Sequence, residues 1–336
     1  MNLKLLAREL NLSFSTVSKA LRDSHEISAA TKARVLAKAK ELNYQVNPLA
    51  SSFRKQQSKT IAVIIPEVVN DFFGPVINGI ESIAQEKGYH VLIYLTHEDM
   101  QKEQSITRLL QNGRVDGIMI SLSEETSDTA HLEALQQKEI PLVFFDRIAE
   151  HIAVPKVITN DYEAALVATS HLIKHGGKRI AFLSISQNLS IVNQRMNGYL
   201  AALEKHGIEQ DKNLIISCGR NEEDNLNLIR NLLVGKNRPD SIFASVEKLA
   251  VATYQVCSEL GLRIPRDIKV ITFSNSNMVP FLQPSLTTIT QPAYEMGREA
   301  AAILFKLIEK KRHSFLPEKT IINSILVQRD STRQLQ

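Results

Sequence analysis

The sequence predicts a mixed α/β protein in which a helical head and a hinge precede a two-lobed core of parallel sheets. Three observations predict this class. Helix-spaced apolar residues fill residues 1–43, a polar stretch covers residues 44–59, and short apolar runs alternate with helical segments from residue 60 onward. The chain has 336 residues, of which 43% are hydrophobic, enough for two or three domains with sizeable cores.

The first two helical segments predict a helix-turn-helix. In the segment Leu3–Asn11, apolar residues recur on one helical face, and Asn2 can cap its start. Asn11 tolerates the left-handed conformation that a turn requires, and Ser13 offers a hydroxyl cap to the second helix, residues 13–23. We expect the second helix to bury the apolar residues Val17, Ala20 and Leu21.

The outward face of the second helix combines small hydroxyls, one aromatic ring and two cations. Such a face suits a helix that lies in the major groove of DNA, where side chains bind base edges and phosphates. The alternative is an ordinary amphipathic helix pair. The residues of this face are Phe14, Ser15, Ser18, Lys19 and Arg22.

The distribution of charge favours the DNA-binding interpretation. Residues 1–59 contain 11 Lys/Arg and 4 Asp/Glu, a net charge of +7, whereas the whole chain carries only +4. The remaining residues 60–336 therefore carry −3 and have no reason to bind a phosphate backbone.

A third helix is expected from the Ser28 cap to about Leu42. Its apolar residues would close a small core over the first two helices. These residues are Val35, Leu36, Ala39 and Leu42.

The polar segment that follows contains two apolar residues four positions apart. Pro48 can stand in the first turn of a short helix that runs to about Lys55, and this helix would place Leu49 and Phe53 on one face. The segment is either a plain linker or a hinge helix whose apolar wedge enters the DNA minor groove.

From residue 60, two rounds of strand and helix predict two similar lobes. Apolar strands that alternate with helices form parallel sheets covered on both faces. The strand-like runs are residues 60–66, 90–96, 116–122, 141–146, 156–161, 179–185, 214–217, 241–246 and 269–274. Ligands of such sheets bind beyond the carboxyl ends of the strands. The segments at those ends are Glu67–Phe73, Thr96–Glu98, Asp146–Arg147, Ser186–Arg195, Val246–Glu247 and Ser274–Asn277.

Several classes of protein are disfavoured. Two cysteines are too few for a disulfide framework, the start of the chain is unlike a signal peptide, and no apolar run reaches the length of a membrane span. We therefore expect a cytoplasmic location and no membrane partner. Catalytic and nucleotide-binding motifs are absent, so we expect no enzyme activity, no cofactor and no metal. His171 and His175, four residues apart on a helix, are more simply solvent-exposed side chains than metal ligands.

A series of motifs resembles the LacI/GalR family of transcription regulators along nearly the whole chain. The head string LSFSTVSKAL (12–21) is similar to the family's V-S-x-x-T-V-S-R-x-L, and NPLASSFR (47–54) is similar to its hinge N-x-x-A-x-x-L-R. TIAVIIPEVVNDFF (60–73) resembles T-I-G-V-I-V-P-x-x-x-N-P-F-F. Further similar strings occur in the family's order at residues 171–183, 195–203, 260–273, 284–301 and 326–333.

The resemblance implies a periplasmic-binding-protein-like core, a homodimer, and a small-molecule effector. It implies a helix-turn-helix domain over residues 1–43, a hinge over 44–59 and a core over 60–336. The chain would cross between lobes near Asn160, Thr288 and Glu318. Lobe 1 would then comprise residues 60–159 and 289–318, and lobe 2 residues 160–288 and 319–336.

The resemblance also implies roles for residues of the head and the hinge. Phe14, Ser15 and Lys19 occupy base-reading positions, and Thr16 and Ser18 would hold phosphates. Phe53 stands where the family has a leucine that opens a central base step. The full predicted set for binding double-stranded operator DNA is Phe14, Ser15, Thr16, Ser18, Lys19, Arg22, Asn47, Leu49 and Phe53.

In the core, five residues occupy effector-contacting positions of the family, namely Asn70, Phe72, Phe73, Asp146 and Arg195. An aromatic platform with an Asp and an Arg suits a hydroxylated ligand. The predicted effector set also includes Arg147, Glu247, Ser274 and Asn275.

Two departures from the family pattern bear on the ligand. Val246-Glu247 and Ser274-Asn275 replace the family's Asn-Asp and Asp-Asp pairs. Fewer acids around Arg195 and Arg147 would favour an anionic effector such as a sugar acid or a sugar phosphate, whereas Glu247 and Asp146 argue for a neutral sugar.

The function that follows is an effector-responsive, dimeric, DNA-binding regulator, expected to repress genes of carbohydrate use. The alternatives are an activator, a solute-binding protein of a transport system, and an enzyme with a DNA-binding head. The basic head argues against transport, and the absence of a catalytic constellation argues against the enzyme.

Overall fold

The computed structural model of the protein describes residues 3–21, 23–43, 58–69, 71–186, 189–309 and 318–334. It divides into two compact units, residues 1–58 and residues 59–336.

The first unit contains three helices with the caps that the sequence predicts. They are α1 (Leu3–Glu9), α2 (Phe14–Ala20) and α3 (Ala29–Glu41). Ser13 accepts a hydrogen bond from the Thr16 backbone N–H at 3.1 Å, and Ser28 accepts one from that of Thr31 at 3.3 Å. Asn11 has a φ of 51°, which confirms its left-handed place in the turn.

The core of the first unit is small and close to the predicted one. Leu6, Val17 and Val35 are fully buried at its centre, where all three helices meet. Leu36 was expected in this core but is 54% exposed. The next residue on a helix lies about 100° around the axis, so α3 cannot bury Val35 and Leu36 against the same neighbours.

The second unit contains two six-stranded sheets, and the structure thereby confirms the mixed α/β class. In the first sheet all strands are parallel, in the order β11-β5-β4-β3-β1-β2. These strands are β1 (Thr60–Ile65), β2 (His90–Leu95), β3 (Gly117–Ile120), β4 (Leu142–Phe145), β5 (Lys156–Thr159) and β11 (Lys319–Ile322). The helices of this lobe, lobe 1, are α4 (Phe73–Glu86), α5 (Met100–Leu110), α6 (Ala130–Gln137) and α11 (Ala293–Glu309).

The second sheet has the order β12-β10-β9-β8-β6-β7, and β12 is antiparallel to β10. Its strands are β6 (Ile180–Ser184), β7 (Ile215–Ser217), β8 (Ser241–Ala244), β9 (Lys269–Phe273), β10 (Thr287–Thr290) and β12 (Ile325–Val327). The helices of lobe 2 are α7 (Asp161–Lys174), α8 (Ser190–Lys205), α9 (Glu222–Val234) and α10 (Glu247–Glu259). Three short 3-10 helices lie at Lys212–Leu214, Val279–Phe281 and Asp330–Thr332.

The central strands are apolar without alternation because both of their faces are covered. In β1, Ile61, Val63 and Ile65 pack in one cluster with α4 and α11, whereas Ala62 and Ile64 pack in a second cluster on the opposite face. All five residues are fully buried. Successive side chains of a strand point to opposite faces, so a sheet covered on both sides needs an apolar residue at every position.

The chain crosses between the lobes three times, at positions that differ in part from those expected. The first crossing follows β5 at Asn160. Strand β10 pairs with β9 in the second sheet, so the second crossing follows residue 290 rather than Thr288. Strand β11 pairs with β5 in the first sheet, so the third crossing lies at residues 323–324 rather than at Glu318. Residues 289–290 therefore belong to lobe 2, and residues 319–322 to lobe 1.

Hydrogen bonds tie the three crossings to one another. The Ser324 backbone N–H donates to Asn160 Oδ1 at 2.7 Å, and Gln291 Nε2 donates to Thr159 Oγ1 at 3.2 Å. No helix in the described part of the chain has both the length and the apolar character needed to cross a membrane.

Candidate functional site

The outer surface of α2 displays most of the residues predicted to bind DNA. Phe14 is 41% exposed, Ser15 and Lys19 are exposed, and Thr16 is half-buried. The hydroxyls of Ser15 and Thr16 each lie 2.8 Å from Ser13 Oγ, so the start of α2 presents a cluster of hydroxyl groups. Lys19 forms an ion pair with Glu26 in the loop after α2. This surface therefore combines an aromatic ring, hydroxyls and a cation.

Ser18 does not lie on that outer surface. It is only 8% exposed, so the expectation that it points outward with Phe14 and Lys19 was wrong. α2 packs against both α1 and α3, and it therefore buries a wider arc than a helix with one neighbour. The remaining predicted DNA-binding residues, Arg22, Asn47, Leu49 and Phe53, lie outside the described residues.

Ion pairs within the head neutralise part of its acidic charge. Lys32 Nζ lies 2.6 Å from Asp23 Oδ1, and Lys38 Nζ lies 2.7 Å from Glu41 Oε1. The hydrogen bond and the charge of Lys32 lower the pKa of Asp23. Asp23, Glu26 and Glu41 thus each face a lysine, and the basic excess of the head is left for a polyanionic partner.

In the second unit, the carboxyl ends of both sheets border one cleft between the lobes. Its side walls carry residues predicted for the effector site: Asp146 and Arg147 follow β4, Glu247 follows β8, and Ser274 and Asn275 follow β9. A cavity of about 210 Å³ lies between the lobes beside the first crossing and extends along β5 and β11. It is lined by Asp146, Ile148, Glu150, Ile158, Thr159, Asn160, Asp161, Tyr162, Glu163, Ser190, Ile191, Gln194, Lys319 and Ile321.

Asp146 is the one predicted effector residue, among those described, that lines this cavity. It is 5% exposed, and its carboxylate accepts a long hydrogen bond of 3.3 Å from Ser121 Oγ. Burial raises the pKa of Asp146 to about 6, although the charge of Arg147 opposes the shift. Its φ of 59° is left-handed, a conformation that costs free energy in residues other than glycine and that clusters at functional sites.

Arg147 points away from the cavity toward Glu98. Its Nη1 donates to both Glu98 carboxylate oxygens at 2.7 Å. Its Nε is buried without a hydrogen-bond partner and lies 3.9 Å from Asp146 Oδ2. The guanidinium charge is therefore already balanced by Glu98.

Arg195 is likewise fully engaged inside lobe 2. Its Nε donates to Asp161 Oδ1 at 2.7 Å, and its Nη1 donates to the Ser245 carbonyl at 2.7 Å. The guanidinium lies 3.7 Å from the centroid of the Phe273 ring, and the residue is only 2% exposed. Each of the two arginines, Arg195 and Arg147, therefore already pairs with a carboxylate, and this pairing weakens the argument for an anionic effector.

Glu247, Ser274 and Asn275 meet at the carboxyl ends of β8 and β9. Ser274 Oγ donates to Glu247 Oε2 at 2.5 Å. Asn275 Nδ2 donates to the Gln291 carbonyl at 2.6 Å, and its Oδ1 accepts from the Gln291 backbone N–H at 3.2 Å. Asn275 is thereby bonded to the second crossing, so its amide couples the cleft to the link between the lobes.

The two predicted aromatic residues lie at the start of α4 and are both buried. Phe73 is 1% exposed and makes an edge-on contact with Phe145 in the core of lobe 1, with ring centroids 6.5 Å apart. Phe72 is 7% exposed and is the nearer of the two to the surface. Asn70 lies outside the described residues.

Sequence reasoning missed several residues of the cavity. Asp161 and Gln194 supply polar groups from the first turns of α7 and α8, and Glu150 and Lys319 pair at 2.7 Å on the lobe 1 side. The polar segment Ser190–Gln194 matched no ligand signature, yet it forms part of the wall. The one signal in the sequence was its place at the carboxyl end of a strand.

The two histidines considered as metal ligands have other partners. His171 is 7% exposed, and its Nε2 lies 2.8 Å from Thr332 Oγ1. Burial lowers the pKa of His171 to about 4, so it packs as a neutral core residue rather than as the solvent-exposed side chain we expected. Within the described ranges, no group of three or more His, Cys, Asp or Glu side chains is arranged to hold a metal ion.

Two family profiles match the chain over nearly its full length. Residues 2–47 match "Bacterial regulatory proteins, lacI family", and residues 58–330 match "Periplasmic binding proteins and sugar binding domain of LacI family". Two similar proteins are the HTH-type transcriptional repressors PurR of Photobacterium profundum and CytR of Escherichia coli. Each is 30% identical to this chain and covers 99% of it, and the matched segments cover 99% and 96% of those proteins.

Solved structures show the same fold. A LacI family transcriptional regulator from Enterococcus faecium with bound ribose is 26% identical, with a TM-score of 0.72 over 82% of this chain and 100% of that one. The lac repressor dimer bound to operator and the anti-inducer ONPF is 21% identical, with a TM-score of 0.85 over 99% of both chains.

Proposed function

Because the chain belongs to the LacI family of bacterial regulatory proteins, we propose that it is a DNA-binding repressor controlled by a neutral, hydroxylated effector such as a sugar. Its head offers the α2 surface to operator DNA, and head and hinge together (residues 1–59) carry a charge of +7. Its core offers a cleft between two lobes to the effector. A transport protein has no use for such a head, and the full-length relatives are repressors.

The single observation that carries the effector proposal is the buried carboxylate of Asp146. A buried charge requires hydrogen-bond donors, and Asp146 has one long bond from Ser121. Ligand hydroxyls that enter the cavity supply the missing donors. The surrounding structure holds Asp146 in its left-handed conformation, so the carboxylate is positioned before the ligand arrives.

The charge balance of the cleft favours a neutral ligand over a sugar acid or a sugar phosphate. Arg195 pairs with Asp161, Arg147 with Glu98, and Lys319 with Glu150. An anionic ligand must therefore break an existing ion pair, and it also meets the additional carboxylates Asp146 and Glu163 in the cavity. The ribose bound to the Enterococcus faecium neighbour is a neutral ligand of this kind.

The effector acts through the angle between the lobes. Asp161 and Thr159 line the cavity and are joined by a 3.0 Å hydrogen bond, and Thr159 also accepts a bond from Gln291 at the second crossing. A ligand held between the lobes therefore favours one relative orientation of the lobes. The change in the free energy of operator binding equals the difference in the free energy of effector binding between the two orientations, typically about 1–3 kcal/mol.

The exposed apolar surface of the core supports a homodimer. In the edge strand β2, Leu92 is 41% and Ile93 is 44% exposed, and in lobe 2 Met278 is 65% and Phe281 is 75% exposed. Apolar surface of this kind marks an interface. A twofold dimer places two heads on the two halves of a pseudo-palindromic operator.

A thermal-shift screen of the full chain tests the effector proposal. The screen adds each compound in turn to wild type, to Asp146→Asn and to the exposed control Glu204→Gln. The compounds are ribose, cellobiose, gluconate and ribose 5-phosphate. A neutral sugar is expected to raise the Tm of wild type and the control, since a ligand at 100 times its Kd stabilises by about 2.7 kcal/mol. Asparagine tolerates the left-handed backbone but loses the charge, so Asp146→Asn should show no shift.

The opposite pattern contradicts the proposal. Stabilisation by gluconate or ribose 5-phosphate alone shows an anionic effector. An equal shift in wild type and Asp146→Asn removes Asp146 from the site.

A further inference from the structure

The two edge strands farthest from the crossings bring two loops together across the cleft. In the first sheet, β11 and β5 lie at one end and β2 at the other, and in the second sheet β12 and β10 lie at one end and β7 at the other. The crossings join the lobes at the β5 and β10 end. We call the opposite end, where residues 96–99 follow β2 and residues 218–221 follow β7, the mouth edge.

One guanidinium spans the mouth edge. Arg220 of lobe 2 donates from Nη2 to the Glu98 carbonyl at 3.0 Å and from Nε to Glu124 Oε2 at 3.2 Å. Its Nη1 lies 3.2 Å from Glu125 Oε1. All three partners belong to lobe 1, so Arg220 ties the lobes together on the side of the cleft that the crossings leave open.

The partners of Arg220 are held in place by lobe 1 itself. The Glu98 carboxylate binds Arg147 Nη1 and also accepts the Glu124 backbone N–H at 2.7 Å. This arrangement fixes the two loops that carry the oxygens. Arg220 therefore docks on a preformed set of acceptors.

A buried glutamate anchors the same loop from below. Glu103 is fully buried and accepts hydrogen bonds from the Ser123 backbone N–H at 2.8 Å and from Thr126 Oγ1 at 3.0 Å. These two bonds lie on either side of Glu124 and Glu125 in the chain. These bonds hold the loop that carries Glu124 and Glu125 in place when Arg220 binds it.

We propose that Arg220 is a latch residue that holds the two lobes together at the mouth edge and must release its lobe 1 partners when the cleft opens there to admit or release a ligand. This proposal rests on the proposed function only in taking the cleft as the ligand site. Arg220 acts by positioning the lobes and is not one of the residues that line the cavity.

The exposure of the latch makes it reversible. The Arg220 side chain is 45% exposed and Glu125 is 54% exposed, so water and salt screen their attraction. Glu124 is 19% exposed and keeps more of it. Such a contact holds a closed state yet opens on thermal fluctuation, and added salt weakens it.

The distance between the lobes in the ligand-free, full-length protein tests the latch. Spin labels on Gln101→Cys in α5 and Glu223→Cys in α9, both at exposed positions beside the mouth edge, report this distance by double electron–electron resonance. The native Cys218 and Cys257 are 5% and 1% exposed and remain unlabelled. Dilution with unlabelled protein leaves one labelled chain in each oligomer.

Arg220→Gln is expected to shift the distance distribution to longer values, and the Glu124→Gln/Glu125→Gln pair should do the same. Adding Arg220→Gln to that pair should add nothing, because both changes remove the same contact. The matched control is Arg230→Gln, which removes the 2.7 Å pair of Arg230 with Glu259 inside lobe 2 and should leave the distance unchanged. High salt should lengthen the distance in wild type but not in Arg220→Gln.

Three outcomes overturn the latch: a wild-type distribution in Arg220→Gln, an equal shift in Arg230→Gln, or additive shifts when the changes are combined. The experiment uses no ligand, so its outcome is independent of the sugar screen. If the lobes separate as expected while no sugar stabilises the protein, the proposed effector fails and the latch stands.

Discussion

Asp146 combines a buried carboxylate with a left-handed backbone, and each feature costs stability. The group is 5% exposed, and burial raises its pKa from 3.8 to about 6. Because the fold favours the protonated carboxyl group, the free energy of unfolding is highest below the unfolded pKa and falls as the pH rises through the folded pKa. A shift of this size lowers the free energy of unfolding by roughly 3 kcal/mol above pH 6.

We therefore predict a pH-dependent gain in stability from Asp146→Asn. The free energy of unfolding of the variant, relative to wild type, should rise between about pH 4 and pH 7 by up to about 3 kcal/mol. Urea unfolding at several pH values measures this difference, and other titrating groups cancel in it. A difference that stays constant with pH would show that Asp146 ionises normally in the fold.

At the residue scale, sequence reasoning found the functional side chains more readily than their partners. It placed Asp146 and Arg147 directly after a strand, where the structure has them, whereas Arg195 lies inside α8. It did not predict that Asp161 and Glu98, which lie 34 and 49 residues along the chain from Arg195 and Arg147, pair with those arginines. The ligand charge that the site favours depends on those pairings, and long-range ion pairs leave no local pattern.

At the scale of elements, two glycines allow α4 and α11 to pack in direct contact. A Cβ on Gly297 would lie 2.0 Å from the Val76 carbonyl oxygen, and one on Gly79 would lie 2.1 Å from that of Tyr294. Backbone atoms cannot move aside as a flexible side chain does. The two helices would have to separate to admit either methyl group.

Gly297→Ala is therefore expected to destabilise the core, although alanine is the better helix former. Overpacking of this kind costs about 1–3 kcal/mol. Gly74→Ala in the first turn of α4 is the matched control, because a Cβ there meets nothing within 4 Å and the helix should gain up to about 1 kcal/mol. Urea unfolding of both variants checks the pair, and a stabilised Gly297→Ala would refute the close packing.

The alternation of strands and helices was predicted with small errors at the boundaries, because buried strands and amphipathic helices have local periods. The order of the strands was harder to read. α11 and the last three strands lie beyond the predicted alternation, and β11 joins the first sheet beside β5 from far along the chain. Both errors in the crossings arose there, since short strands such as β11 and β12 carry too few residues to show which sheet they join.

At the scale of the whole molecule, the apolar surface of lobe 2 predicts where two copies meet. Phe281→Lys should weaken the dimer, because a buried aromatic at an interface contributes about 2 kcal/mol or more, roughly a 30-fold change in Kd. Phe281 is 75% exposed in the single chain, and Val234, at the end of α9, is 66% exposed and serves as the control. Sedimentation equilibrium should show monomers for Phe281→Lys but not for Val234→Lys. Equal dissociation by both variants, or by neither, would place the interface elsewhere.

The three crossings also bear on how the molecule is made. Residues 3–43 contain all of the head's described helices, so a ribosome delivers that set early. The first sheet, in contrast, has five strands by residue 159 but waits for β11 at residues 319–322, after the whole of α7 to α11 has been synthesised. Long-range pairing of this kind slows folding and leaves a strand edge of β5 uncovered during translation. The nascent core therefore depends on β11 to complete the sheet that β1 begins.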